Sequence, residues 1–154
     1  MEQTRASEIM SEPARCVEAD LKLHEAAGVM LEEGLGSLVV VDGEDRPVGI
    51  LTDSDFSSRE AGVPFSTFRA PNLLGRWIGE ERVEQIYEEA RRRTVGEIMS
   101  APVRTVEADA TVKDVLEVML RHDIKHVPVL RDGKTAGMVA RHDLLRMFHR
   151  HVGG

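Results

Sequence analysis

An internal repeat narrows the possible folds of this chain more than any single motif does. Residues 8–20 read EIMSEPARCVEAD and residues 97–109 read EIMSAPVRTVEAD, so ten of the thirteen positions are identical. The match resumes as VML at 29–31 and 118–120. Agreement over this length indicates the duplication of one supersecondary unit.

Each copy contains the same succession of predicted elements. A short extended segment is followed by a helix in which apolar residues recur at helical spacing. Two strands joined by an Asp-Gly turn come next, at 37–41 and 48–52 in one copy and at 126–130 and 136–140 in the other. A last helix completes each β-α-β-β-α unit. One such unit buries too little apolar surface to fold alone, so we expect an α/β (α+β) fold in which two units pack with pseudo-two-fold symmetry.

Composition and charge disfavour several classes of function. The chain has 27 acidic and 20 basic residues and a formal charge of −7, which opposes binding to nucleic acid, because a phosphate backbone needs a basic surface. No apolar run approaches the roughly 20 residues of a membrane helix, and the first residues lack the apolar core of a signal peptide. Cys16 is the only cysteine, so no intrachain disulfide can form and we expect a cytoplasmic location.

The repeated pattern resembles a known family. The run IMS-x-P-x-x-T-V, the helix ending in VML, the strand HVPV and the motif G-hydrophobic-hydrophobic-T-x-x-D together resemble the CBS domain, named from cystathionine β-synthase. The resemblance covers about 4–56 and 94–148, and two such motifs in tandem resemble a Bateman module. It implies that the clefts between the motifs bind AMP, ADP, ATP or S-adenosylmethionine, that the chain forms a homodimer, and that it regulates an effector protein without catalysis of its own.

The stretch GILTDSD, at 49–55, carries the chemistry of the first copy. A glycine permits close approach of another backbone, a hydroxyl beside a helix start can help to hold a phosphate, and a carboxylate can accept both hydroxyls of a ribose. The family pattern assigns Thr52 to the phosphate and Asp55 to the ribose, and it leaves Asp53 as the N-cap of the helix. Plain helix capping is the alternative for these side chains.

The equivalent stretch of the second copy, GMVARHD at 137–143, departs from the pattern. Asp143 is retained, but Ala140 offers no hydroxyl. Arg141 and His142 stand beside it, and an arginine can grip a phosphate with two hydrogen bonds. Two outcomes stay open: this cleft holds a phosphorylated ligand through Arg141 and His142, or it takes a ligand without phosphate or stays empty.

An adenine base needs an apolar slot. The family analogy places it against the first extended segment and the first hairpin strand of each copy, where most side chains also suit a core. The residues concerned are Cys16, Val17, Leu38 and Val39 in one copy, and Thr105, Val106, Val127 and Pro128 in the other, with His126 as a further cleft-lining residue.

Metal binding and catalysis are weaker interpretations. His122 and His126 are four apart, which suits zinc only where both lie on one helix, and the residues between them suit a turn. Cys16 has no evident base or orienting group nearby in sequence. We therefore expect no metal site, no required cofactor and no enzymatic activity.

The segment 57–93 separates the two motifs. It carries four of the six aromatic residues of the chain, at Phe65, Phe68, Trp77 and Tyr87, so we expect it to be ordered, with a helix at about 80–93. It packs either as a lid on a cleft or in a dimer interface, and its tryptophan and arginines favour the interface. Residues 149–154 are expected to form a frayed tail.

The sequence thus predicts a cytoplasmic, homodimeric sensor of an adenosine-containing ligand. Because no effector domain is recognised in these residues, the output is expected to go to another protein. The alternative is a structural or interaction module whose clefts are vestigial and bind no nucleotide.

Overall fold

A computed structural model describes residues 3–57 and 80–153 of the chain. The predictions made for Phe65, Phe68 and Trp77 therefore lie outside the described residues. The elements follow one another as α1 (Ala6–Ile9), β1 (Cys16–Glu18), α2 (Leu23–Glu33), β2 (Ser37–Val41), β3 (Pro47–Thr52), a 3₁₀ turn (Asp53–Ser57), α3 (Glu80–Arg92), α4 (Val95–Ile98), β4 (Val106–Glu107), α5 (Val112–His122), β5 (His126–Arg131), β6 (Lys134–Ala140) and α6 (Arg141–Val152).

The strands form two three-stranded mixed sheets, one from each repeat. In the first sheet β1 pairs parallel to β2, and β2 pairs antiparallel to β3. The second sheet has the same order and directions for β4, β5 and β6. The predicted α/β fold with two β-α-β-β-α units is confirmed.

Each sheet is covered by an amphipathic helix of its own repeat. The buried residues of α2 are Leu23, Ala26 and Met30, at helical spacing. Helix α5 buries Val112, Val115 and Met119 in the same way. Two cores result, one for each sheet, and a third small cluster around Val39 and Met138 joins the sheets.

The first residues of each repeat pack against the sheet of the other repeat. The amide of Ala6 donates to the carbonyl of Ala110 at 2.7 Å, and the amide of Val95 donates to the carbonyl of Leu21 at 2.9 Å. Helix α1 therefore belongs to the core of the second sheet, and α4 belongs to the core of the first. We call residues 6–11 and 95–100 the exchanged segments. Neither repeat has a complete core without the other.

Glycines at two positions allow the exchanged segments to pack closely against β3 and β6. A Cβ on Gly49 would lie 3.1 Å from the carbonyl oxygen of Ser100, and a Cβ on Gly137 would lie 2.8 Å from that of Ser11. Ser100 and Ser11 pair with β3 and β6 respectively as isolated bridges. The close approach expected of the glycine in GILTDSD is therefore made by another part of the chain.

The bounds of α3 and α6 can be compared with those expected from the sequence. The helix expected at about 80–93 runs from Glu80 to Arg92. Helix α6 continues to Val152, so the expectation of a frayed tail from 149 is wrong for its first four residues. Helical hydrogen bonding continues there because the apolar face that carries the buried Met147 anchors the preceding turn.

Candidate functional site

A cavity of about 260 Å³ lies where the end of the first repeat meets the second repeat. We call it the first cleft. Its walls come from both repeats. The first repeat supplies the end of β3 and the 3₁₀ turn, and the second supplies the residues that precede β4 and β5. The lining residues are Ile50, Thr52, Asp53, Ser54, Asp55, Ser100, Pro102, Val103, Arg104, Asp123, Ile124, Lys125 and His126.

Thr52 and Asp55 form the acidic wall of the first cleft. The carboxylate oxygen Oδ2 of Asp55 accepts hydrogen bonds from the Thr52 amide at 2.8 Å and from Thr52 Oγ1 at 3.3 Å. Thr52 Oγ1 also lies 2.8 Å from Ser54 Oγ. The carboxylate that caps the turn is therefore that of Asp55, and the assignment of the cap to Asp53 is wrong. The carboxylate of Asp55 is half-buried in the wall of the cavity.

His126 forms the opposite wall, at the start of β5. Burial lowers the pKa of its imidazole from the ordinary value of 6.5, and the positive charge of Lys125 acts in the same direction. The carboxylates of Asp53 and Asp143 oppose this shift. The neutral ring at pH 7 can donate one hydrogen bond and accept another, which suits the edge of a base or a ribose hydroxyl.

Two basic residues of the first cleft were not assigned from the sequence. Arg104 precedes β4, and Lys125 precedes His126. Both are exposed side chains at the mouth of the cavity. Arg104 stands at the same repeat position as Arg15, and its relation to the cleft depends on packing between the repeats.

The equivalent region of the second repeat has different surroundings. Asp143 is 4% exposed, and its carboxylate accepts hydrogen bonds from the Ala140 amide at 2.7 Å and from Ser11 Oγ at 3.0 Å, and it pairs with Arg146. Arg141 and His142 are exposed on the first turn of α6 and do not line the first cleft. We call this region, with Ala140 in the place of Thr52, the second cleft.

Most of the residues predicted to lie against the base have buried side chains. Leu38, Val39, Val127 and Pro128 are fully buried in strands, so their side chains present no surface to a ligand in this structure. The helices and the opposite sheet cover these side chains, so a base at this place would contact backbone groups, and the base site stays a prediction. Val17, Val106 and Cys16 pack in the cores or in the cluster between the sheets, and Thr105 is half-buried.

Other features of the described residues do not add to the site. Burial raises the pKa of the Cys16 thiol, which keeps it protonated and a poor nucleophile. In the part of the chain that the structure describes, no three His, Cys, Asp or Glu side chains are grouped so that they could hold a metal ion. A second, more open cavity of about 560 Å³ lies between α1 and α6, beside Arg146 and Arg150.

Comparison with known proteins identifies a family and a fold. The sequence profile of the CBS domain matches residues 6–62 and 95–150. An uncharacterized protein of Methanocaldococcus jannaschii is 30% identical over 146 residues, which are 95% of this chain but 32% of that protein. The chain thus spans about a third of that relative's length.

Two solved structures share the fold of this chain. The CBS domain of a CBS-domain-containing membrane protein from Sphaerobacter thermophilus is 35% identical, with a TM-score of 0.75 over 94% of this chain and 88% of that one. The CBS domain pair of the protein MJ0100, in complex with 5′-methylthioadenosine and S-adenosylmethionine, is 23% identical, with a TM-score of 0.69 over 96% of this chain and 98% of that one. No helix among residues 3–57 and 80–153 is long and apolar enough to cross a membrane.

Proposed function

This chain belongs to the CBS domain family, as a tandem pair of CBS domains, and on that premise we propose that it is a regulatory module that binds an adenosine-containing ligand. The ligand is AMP, ADP, ATP or S-adenosylmethionine, and its site is the first cleft. The observation that carries this proposal is that one cavity collects Thr52 and Asp55 from the first repeat and His126 from the second.

The size and lining of the first cleft support a nucleoside. Its volume of about 260 Å³ lies just below the roughly 300–1,000 Å³ of typical small-molecule sites, so any phosphates beyond the first extend towards solvent. We propose that Asp55 accepts hydrogen bonds from the ribose hydroxyls, and that the hydroxyl of Thr52 and the side chain of His126 contact other polar groups of the ligand, because all three residues line the cavity. The fold of MJ0100, which was solved with two adenosyl compounds, supports the same ligand class.

Binding at this position couples the two repeats. Because the walls come from different repeats, a ligand that contacts both stabilises the arrangement in which they are packed as described here. A partner protein that prefers this arrangement then responds to the ligand concentration, since coupling requires only that ligand and partner favour the same state. We propose that the effector is a separate protein in the cytoplasm, and we assign no catalytic residue.

Exposed leucines support a homodimer. Leu31 on α2 and Leu120 on α5 occupy equivalent repeat positions and are 83% and 81% exposed. On α6, Leu145 and Phe148 are 61% and 54% exposed. Apolar side chains of this size, repeated on helix surfaces, suit an interface that a second copy covers.

A panel of ligands tests the proposed function. The melting temperature of the pure chain is measured with AMP, ADP, ATP, S-adenosylmethionine and 5′-methylthioadenosine at increasing concentration. We expect a concentration-dependent rise with at least one compound, which is lost in Asp55→Ala and retained in Asp20→Ala, an exposed carboxylate outside the first cleft. No rise with any of the five compounds would contradict the proposal and favour an interaction module.

A further inference from the structure

The internal repeat places an arginine at the same position of each copy, Arg15 before β1 and Arg104 before β4, and Arg104 lines the first cleft. We propose that the chain has one nucleotide site, not two, and that Arg104 holds the phosphate of the ligand in the first cleft. This inference rests on the function proposed above and names the ligand class of that same site as a phosphate ester of adenosine.

The charge of Arg15 is already paired. Its Nε lies 3.1 Å from Glu33 Oε2, with both side chains about half exposed, at 49% and 47%. A carboxylate held this close competes with any phosphate for the guanidinium. At the repeat position of Glu33, the second repeat has His122, which is not an acid. The next residue, Asp123, lines the first cleft together with Arg104 but forms no ion pair with it.

Arg104 is available to an anion. It forms no ion pair with any residue that the structure describes, and it lines the first cleft together with Lys125 and Thr52. A guanidinium can bind two phosphate oxygens at once, and the lysine and the threonine hydroxyl add a second cation and a further donor. The repeat positions of Lys125 and Thr52 are occupied by Gly36 and Ala140 in the second cleft, so neither contribution is present there.

The carboxylate of the second cleft, that of Asp143, also has partners within the chain. Asp143 is buried, and its carboxylate already accepts from Ser11 and Ala140 and pairs with Arg146. A ribose that bound this carboxylate would have to displace these existing hydrogen bonds, so the exchange would return little net free energy. Asp55, in contrast, is only half-buried and lines the wall of the cavity.

The two clefts therefore differ in each group that an adenosine phosphate needs. The first has an unpaired arginine, a second cation, a hydroxyl and an accessible carboxylate. The second has a neutralised arginine, a glycine, an alanine and a buried carboxylate. The uncharged 5′-methylthioadenosine has no anionic group that Arg104 and Lys125 could bind, so we expect the first cleft to favour AMP over 5′-methylthioadenosine.

Isothermal titration calorimetry of the whole chain with AMP and with adenosine tests this inference. We expect one AMP per chain, and an affinity for AMP that falls about tenfold to hundredfold in Arg104→Gln, as for the loss of hydrogen bonds to a charged group. Adenosine should bind more weakly than AMP and should be indifferent to Arg104→Gln. Arg15→Gln, the matched change at the other repeat position, should bind AMP like the parent chain. Both arginines are exposed, and unchanged melting temperatures confirm that both variants fold.

The outcomes separate this inference from the proposed function. Two equivalents of AMP per chain, equal effects of the two arginine variants, or equal affinity for adenosine and AMP would overturn the inference while the sensor function stands. The absence of binding by any adenosyl compound to the parent chain would overturn both.

Discussion

Ser11 Oγ donates a hydrogen bond of 3.0 Å to Asp143 Oδ1 across 132 positions of the sequence. Ser11 ends the first exchanged segment, and Asp143 lies in the first turn of α6. The bond therefore fastens the beginning of the first repeat to the end of the second. An acid that the repeat suggests as a ligand group acts here as a structural anchor.

Removal of this anchor should destabilise the chain. Asp143→Ala leaves the amide of Ala140 and the side chains of Ser11 and Arg146 without their acceptor, so the free energy of unfolding should fall by about 2–3 kcal/mol. Ser11→Ala removes one bond and should cost about 1 kcal/mol. Urea denaturation measures both values. A loss below about 0.5 kcal/mol for Asp143→Ala, the size of an ordinary surface substitution, would show that the anchor is unimportant.

The glycines beside the exchanged segments should not accept a methyl group. In Gly137→Ala the new Cβ would lie 2.8 Å from the carbonyl oxygen of Ser11, and in Gly49→Ala it would lie 3.1 Å from that of Ser100. The nearest atoms to the new methyl groups are methionine sulfurs, Met99 Sδ at Gly49 and Met10 Sδ at Gly137. Because the side chain can shift but the backbone oxygen beside it cannot easily do so, we expect each variant to lose about 1–3 kcal/mol of unfolding free energy. The control is Gly28→Ala within α2, where nothing lies within 4 Å, and it should gain about 0.5–1 kcal/mol. Equal effects at all three positions would contradict the exchange of segments.

Stability should depend on pH through His126. Its pKa is lowered in the folded chain by burial and by Lys125, against the opposing carboxylates of Asp53 and Asp143. The unfolded chain then binds a proton more readily, so this residue has no effect on stability above about pH 6.5 and lowers stability as the pH falls below it. The urea midpoint of His126→Gln should therefore decline less between about pH 6.5 and 5 than that of the parent chain. His24→Gln, which removes an exposed imidazole, is the matched control, and an unchanged slope in His126→Gln would contradict the assignment.

The proposed dimer should depend on the exposed leucines. Leu31→Glu and Leu120→Glu together place two charges on helix surfaces where the parent chain exposes 83% and 81% of each side chain. We expect the parent chain to sediment as a dimer and the double variant as a monomer with an unchanged fold, since a charge at the centre of an apolar interface opposes its burial. A parent chain that sediments as a monomer at all concentrations would exclude the interface.

Local sequence was sufficient to predict most secondary structure. Strands and helices follow from alternation and helical spacing, and those signals require only neighbouring residues. Thr111 and Asp114 have the spacing of a capping box, and the structure forms one, with the Asp114 amide donating to Thr111 Oγ1 at 3.2 Å and the Thr111 amide donating to the Asp114 carboxylate at 2.9 Å. The repeat then predicted that the second unit would copy the first.

The composition of the first cleft was only partly predictable. Thr52, Asp55 and His126 line its walls, but their contacts with a ligand stay a prediction, and the strand residues expected beside the base have mostly buried side chains. The two exchanged segments have nearly the same sequence, so the sequence does not say which copy packs against which sheet. Arg104 follows the second exchanged segment in the chain. It lines the same cavity as Thr52 only because the two repeats pack together, which the sequence of one repeat does not show.

The measurement that tests the sensor account most directly is the electron density of crystals grown with AMP. We expect one nucleotide per chain in the first cleft, with both ribose hydroxyls within hydrogen-bonding distance of Asp55 and the phosphate beside Arg104. Density for AMP only in another place, such as the cavity beside Arg146, with the first cleft empty and Asp55 remote from the sugar, would contradict the account.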